Sequence, residues 1–188
     1  NGPVFDSDGG GSIDFDGSDD YCNIDNNLGI TNYPFSISSW VKFNSNTNIG
    51  FGSISNSSTT NQIIAFGVVF DSGVLKPRFI ILNGSTNIKT GTTALSTDVW
   101  YNICQVYSSN TSKFYYINGE LEMDWTDNIT FPTGVNRFTL ASYGDSTPAY
   151  WDCKISNFQA YNRALSASEV LQNYNALKGR FGLWNSDL

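Results

Sequence analysis

Apolar residues along the chain fall in alternating or continuous short runs and seldom recur at steps of three and four, a pattern that predicts strands. In "FSISSWVKF" (35–43) Phe35, Ile37, Ser39, Val41 and Phe43 occupy alternate positions, so one face of a strand carries them all. The runs "QIIAFGVVF" (62–70), "RFIIL" (78–82), "WYNICQVY" (100–107) and "RFTLAS" (137–142) are more continuously apolar, as strands covered on both faces are. Within "KFYYINGELEMDW" (113–125) Asn118-Gly119 separates two such runs, and that dipeptide suits the positive φ angles of a two-residue type I′ hairpin. The Ser-, Asn- and Thr-rich stretches 44–48, 55–61, 83–93 and 108–112 read as loops between strands. One segment is helical: in "SASEVLQNYNAL" (166–177) Ser166 and Glu169 form a capping box, and Val170, Tyr174 and Leu177 share a face.

The composition changes this picture little. With 188 residues, 15% of them aromatic and 14% charged, the chain fits a single layered β-domain spanning 1–188. Its core is expected at about 12–178, with 1–11 and 179–188 as extensions. A net charge of −7 argues against nucleic acid, which needs clustered Lys and Arg. No apolar run reaches the length of a membrane span, and neither Met nor a signal-like segment opens the chain, so Asn1 is expected to begin a processed or excised part of a longer polypeptide.

Histidine is absent, which removes Ser-His-Asp and Cys-His catalysis and most zinc chemistry. Cys22, Cys104 and Cys153 each lie in an apolar or aromatic run and read as small buried hydrophobes, Cys22 and Cys153 being the candidate pair for any bridge. The sequons at Asn56, Asn83, Asn110 and Asn128 arise easily in so Asn- and Thr-rich a chain and receive no function.

Three groups of residues carry candidate chemistry. In "FDSDGGGSIDFDGSDDY" (5–21) six aspartates surround a glycine run, but no Glu closes an EF-hand loop. The alternative there is turn chemistry: a short strand over 12–15, a turn at Asp16-Gly17, and the next strand from Tyr21. In "GELEMDW" Glu120, Glu122 and Asp124 alternate onto one strand face. Two such carboxylates about 5 to 5.5 Å apart would suit a retaining glycosidase, whereas a solvated face is what the alternation with Leu121, Met123 and Trp125 otherwise implies. In "ASYGDSTPAYWD" the residues Tyr143, Asp145, Tyr150 and Trp151 combine sugar-stacking rings with a hydroxyl-binding carboxylate, with Trp125 as a further candidate. Packing at the sandwich edge is the alternative for these rings, and Trp40 and Trp100 are read as core.

The order of "GSIDFDGSDDYCNI", "FSISSWVKF", "WYNICQVY", "FYYINGEL" and "WDCKISNFQAYNRALSASEVLQNYNAL" resembles the laminin-G-like members of the concanavalin A-like lectin/glucanase superfamily. The resemblance implies an all-β, two-sheet antiparallel jelly-roll sandwich with one short C-terminal helix. Its most specific part, "ISNFQAYNRALSASEV" (155–170), leads from the last strand into the capped helix, with Leu165 as a hydrophobic staple toward Val170. Arg163 is expected to pair with carboxylates near the chain start, because first and last strands are commonly neighbours in this fold. Cys153 stands where relatives often have Gly, Asn102 where they have His, and Cys22 where they have a branched apolar residue.

Relatives often hold a structural calcium between an early Asp and the last strand, which implies Asp14 or Asp16 here, with Asp145 or Asp152 as distant partner. The ending "YNRALSASEVLQNYNALKGRFG" is similar to the close of such domains in phage structural proteins. Together these imply a non-enzymatic, virion-associated module for capsid decoration, tail or fibre, able to recognise surface glycans. Its partners would be glycans or other virion proteins, and it would sit on the virion surface or otherwise outside the cell, in a homo-oligomer. Two alternatives stand beside it: a carbohydrate-binding module of a secreted or surface bacterial protein, and a glycoside hydrolase. The last would use 120–124, which resembles the laminarinase-type acidic motif with Glu in the middle and Asp last.

Overall fold

A computed structural model describes residues 2–46, 49–144 and 149–183. The strands are β1 (Val4–Asp6), β2 (Ser12–Asp16), β3 (Cys22–Ile24), β4 (Phe35–Phe43), β5 (Ile49–Ser55), β6 (Gln62–Asp71) and β7 (Val74–Asn83). They continue as β8 (Thr86–Thr90), β9 (Trp100–Ser109), β10 (Ser112–Ile117), β11 (Glu120–Trp125), β12 (Arg137–Leu140) and β13 (Asp152–Tyr161), and a helix α1 (Ala167–Leu177) follows. All pairings are antiparallel, in a first sheet of order β1-β2-β13-β4-β9-β10-β11 and a second of order β3-β12-β5-β6-β7-β8. This is the two-sheet sandwich with one short C-terminal helix that the resemblance implied.

The alternation in β4 works as read: Phe35, Ile37, Val41 and Phe43 enter the core between the sheets. There Phe35 stacks on Tyr107 at 4.4 Å, and Phe79 meets Tyr107 and Tyr115 edge-on at 5.4 and 5.5 Å. The continuous run of β9 has the expected cause. Ile103 and Tyr107 face the core, whereas Cys104 and Val106 face out and are covered by Leu165 and Val170 at the start of α1. Asn118 (φ 51°) and Gly119 (φ 83°) make the β10–β11 turn, and Ser166 and Glu169 form both halves of the capping box.

Several expectations need correction. Arg163 pairs with Glu169 at 2.8 Å, not with the chain start, because the chain turns sharply into α1 and brings that carboxylate within reach. Thr86–Thr90 lies in a stretch read as loop yet forms edge strand β8, where one side faces solvent and polar residues fit a ladder. The three cysteines are free, and Cys22 is exposed because β3 is an edge strand; it lies in the second sheet while Cys153 faces the core from the first.

Residues expected to be extensions are instead locked to each other. Val4–Asp6 pairs with β2, and a 3-10 turn at Lys178–Phe181 brings Arg180 onto the glycine run. Its Nε donates to the Gly9 carbonyl (2.7 Å) and its Nη2 to those of Gly10 (3.0 Å) and Gly11 (3.1 Å). Gly9, at φ 60°, has to be glycine, since a Cβ there would come within 2.7 Å of the Phe181 ring.

Candidate functional site

The acidic N-terminal stretch divides into two groups with different chemistry. Asp6 pairs with Lys154 (2.5 Å) and Asp8 with Lys42 (2.9 Å), while Asp14 accepts from the Asn44 amide (3.1 Å) and lies 3.9 Å from Lys154. Asp14, one of the residues expected to hold calcium, therefore already faces an ammonium. The hydrogen bond from Lys154 holds Asp6 below the usual carboxylate range, and that from Lys42 does the same for Asp8.

The second group sits at the β2–β3 turn. Gly17 (φ 72°) folds the chain so that carboxylate oxygens of Asp16, Asp19 and Asp20 lie within 4.8 Å of one another. Oxygens on opposite sides of one calcium ion, each at about 2.4 Å, would span about the same distance. Asp20 is 4% exposed; its Oδ2 accepts from the Asp16 amide (3.2 Å), and its Oδ1 is buried with no hydrogen-bond partner. Asp152 is the cross-strand neighbour of Asp16, and Asp145 lies outside the described residues. Asp19 and Asp20 were legible only as turn residues. The Asp-x-x-Asp-Asp spacing around a glycine turn is the signal that points to them.

Of the alternating carboxylates of β11, Glu120 and Asp124 are exposed and Glu122 is committed elsewhere. Both oxygens of Glu122 are engaged: Oε1 accepts from the amides of Thr92 (2.8 Å) and Thr93 (3.0 Å), and Oε2 from the Thr93 hydroxyl. Burial raises the Glu122 pKa, but these hydrogen bonds outweigh it and leave the group below its ordinary value. Glu122 thus clamps the β8–β9 connection onto β11. Trp125 is a core residue, its Nε1 donating to Asp127.

These lowered carboxyls define a pH window. A carboxyl whose folded pKa is depressed contributes stability above its unfolded value and loses it as pH falls through the folded one. Asp6, Asp8, Glu122 and Glu169 (held at about 2 by Arg163) are all of this kind, with ordinary values of 3.8 for Asp and 4.5 for Glu. The urea midpoint is expected to be flat between about pH 5 and pH 7 and to fall steadily from about pH 4.5 downward, and Lys154→Met is expected to make that fall shallower. A midpoint that rises on acidification contradicts the assignment.

The aromatic loop folds over the outer side of the second sheet. The Ala141 amide donates to the Phe51 carbonyl (3.2 Å), Ser142 bridges to Tyr150, and the Trp151 amide donates to the Ala141 carbonyl (2.9 Å). Ser53 and Ser55, alternate residues of β5, hold the loop down: their hydroxyls donate to the carbonyls of Ser142 (3.0 Å), Tyr143 (2.6 Å) and Gly144 (3.1 Å). Neither serine was singled out in the sequence, although polar residues at alternate places in a strand are a cue for such a role.

The three candidate ligand residues that the structure describes do not all meet. Trp151 is 4% exposed and packs into the core against Gly50, where an added Cβ would come within 2.6 Å of its ring. Tyr143 is half-buried, its ring meeting that of Trp151 edge-on at 5.0 Å. Tyr150 leaves this pair and approaches Tyr21 at 5.9 Å, and Asp145 lies outside the described residues. Tyr143 and Trp151 border a slot of about 60 Å³ whose other walls include Gly67 and Arg78. Burial lowers the Arg78 pKa, and its Nε donates to Thr90 Oγ1 (3.2 Å).

No helix among the described residues is long and apolar enough to cross a membrane. No curated protein matches the chain in sequence. Among solved structures it is similar to domain 4 of an extracellular arabinanase from Geobacillus stearothermophilus, determined in complex with arabinotriose: 20% identity over 90% of this chain and 80% of that one, TM-score 0.69. It is also similar to the binding domain of botulinum neurotoxin serotype G, at 18% identity and TM-score 0.66, covering 93% of this chain but only 44% of that one. A third likeness is to a heptameric pentraxin from Limulus polyphemus, at 17% identity over 85% and 79% of the two chains, TM-score 0.64. At these identities the likeness is one of fold. Residues 16–171 match the sequence pattern of the concanavalin A-like lectin/glucanases, and the chain belongs to that superfamily.

Proposed function

We propose that this protein is a non-enzymatic, extracellular glycan-binding module. The observation that carries the reading is Tyr143, half-buried and buttressed by Trp151 beside the Arg78 guanidinium and the side-chain-free Gly67. A sugar ring would lay its apolar C–H face on Tyr143. The slot of about 60 Å³ is too small for a ring and suits one exocyclic group, hydrogen-bonded by Arg78. The similarity to an arabinanase domain determined with arabinotriose supports this class of ligand. With Glu122 clamping a loop, the β11 carboxylates serve as structure and solvated surface, and the hydrolase reading loses its acid/base pair.

Calcium belongs to the same reading as a structural ion. Asp16, Asp19 and Asp20 would hold it, with Asp152 alongside on β13, and the buried unpartnered Asp20 Oδ1 is the atom whose desolvation a cation would compensate. We further propose, from the similarity of "YNRALSASEVLQNYNALKGRFG" to the close of such domains in phage structural proteins, that the module is a virion decoration, tail or fibre component in symmetric copies. Affinity-purified virions probed with antibody to this chain test that placement.

A glycan array run in calcium and in EDTA tests the rest. Binding that Tyr143→Ala weakens is expected, together with a melting temperature raised by calcium in the wild type but not in Asp20→Asn. Array binding indifferent to Tyr143→Ala overturns the site, and identical melting curves in calcium and EDTA overturn the ion.

A further inference from the structure

At the end of the sandwich away from Asp16, where β4 begins and β9 ends, a depression of about 580 Å³ opens between three loops. They are the β3–β4 loop (Thr31, Asn32), the β9–β10 turn (Asn110) and the β11–β12 loop (Phe131, Thr133, Gly134). Its size lies within the range of small-molecule sites.

The walls are fixed from behind. Phe131 is held edge-on by Tyr33 at 5.4 Å and by Phe35 at 6.1 Å, and the rest of its ring lines the depression. The Asn110 carbonyl accepts from the buried Lys113 ammonium (2.5 Å) and from the Ile129 amide (3.0 Å), which sets the turn while its side chain stays exposed. Thr133 donates through its amide (2.6 Å) and hydroxyl (3.3 Å) to Gln62 Oε1. The Asn27 amide ties the first loop to the third through the Val135 carbonyl (3.0 Å). Asn32 Oδ1 accepts from the Tyr33 amide (2.8 Å), and the residue is exposed.

The lining is an aromatic ring surrounded by amides and hydroxyls, with no charged side chain. An anionic ligand would find no cation to pair with, and the surface offers neither a deep apolar pocket nor a strand edge for a peptide. A neutral polyol with one apolar face fits both kinds of surface.

We propose that this depression is a second saccharide site, specific for uncharged sugars, with Phe131 as the stacking platform and Asn110 and Asn32 as hydroxyl partners. The inference rests on the glycan-binding reading and adds to it a place separate from Tyr143, so that one domain engages two sugars of a chain or surface and gains by avidity.

Titration of ¹⁵N-labelled protein with arabinotriose, maltotriose and mannotriose, and with sialyllactose as the acidic probe, tests it. A neutral trisaccharide is expected to move the resonances of Asn110 and of 131–134. Phe131→Ala and Asn110→Ala should each weaken that binding about tenfold, and Tyr143→Ala should leave it unchanged. Asn110 is exposed, so its variant keeps the fold should Phe131→Ala melt early. Shifts confined to the surroundings of Tyr143, unaltered in both variants, overturn the second site and leave the glycan reading standing. Shifts at 131–134 with sialyllactose but no neutral sugar overturn the specificity, and no shift with any probe overturns both site and reading.

Discussion

Phe181→Ala is expected to lower stability by about 3 kcal/mol, and with it the melting temperature by roughly 6–12 °C, a large effect for a residue so near the C-terminus. The Phe181 ring stacks on Trp40 at 4.0 Å and meets Trp100 at 5.0 Å, forming a satellite cluster on the outer side of the first sheet. It also sits directly on Gly9. Removing it leaves a cavity over two indoles and frees Arg180, whose guanidinium holds the three glycine carbonyls. Amide exchange in Val4–Asp6 is therefore expected to speed up along with the drop in melting temperature. Phe181→Leu should recover part of the loss. A wild-type melting curve for Phe181→Ala contradicts the view that the chain ends are latched.

Lys113→Ala is expected to cost about 3 kcal/mol by a different route, through a lost stem and two abandoned acceptors. The Lys113 residue is 0% exposed, and its ammonium lies 5.8 Å from the Tyr33 ring and 5.4 Å from the Trp125 ring while donating to the carbonyls of Asn110 and Asp127. Burial draws its pKa down to about 8, so the amine still carries its proton at pH 7. Lys113→Met keeps the stem and removes only the donors, and chemical denaturation of the two variants separates packing from hydrogen bonding. Equal losses in both assign the whole effect to the carbonyls, and no loss in either contradicts a structural role.

Much of the scaffold was legible because its causes are local. Alternation puts Phe35, Ile37, Val41 and Phe43 on one face whatever else the chain does. Asn118-Gly119 favours its own turn, and Ser166 with Glu169 caps its own helix. The elements that escaped the reading take their structure from neighbours. Strand β8 is polar and owes its ladder to β7, and β5 carries glycines because Trp151 packs on Gly50 and serines because the loop 141–144 must be held down.

The candidate site was legible in type and not in membership. Clustered aspartates and a loop rich in aromatics could be seen, but which carboxylates meet cations and which meet one another could not. Asp14 and Asp16 are two residues apart on the same strand, yet Lys154 opposes the first and Asp152 the second. Trp151 and Tyr150 are adjacent, yet one enters the core and the other reaches Tyr21.

The sequence by itself determined the strand pattern, the hairpin, the capped helix and, through their order, the superfamily, since each depends on residues a few positions apart. Only the tertiary structure decided that Glu122 is a clamp, that Arg180 closes the chain ends together, and that three loops enclose a neutral depression around Phe131. Those outcomes depend on partners tens of residues away, and chain topology, not local preference, sets which distant groups are brought within hydrogen-bonding distance.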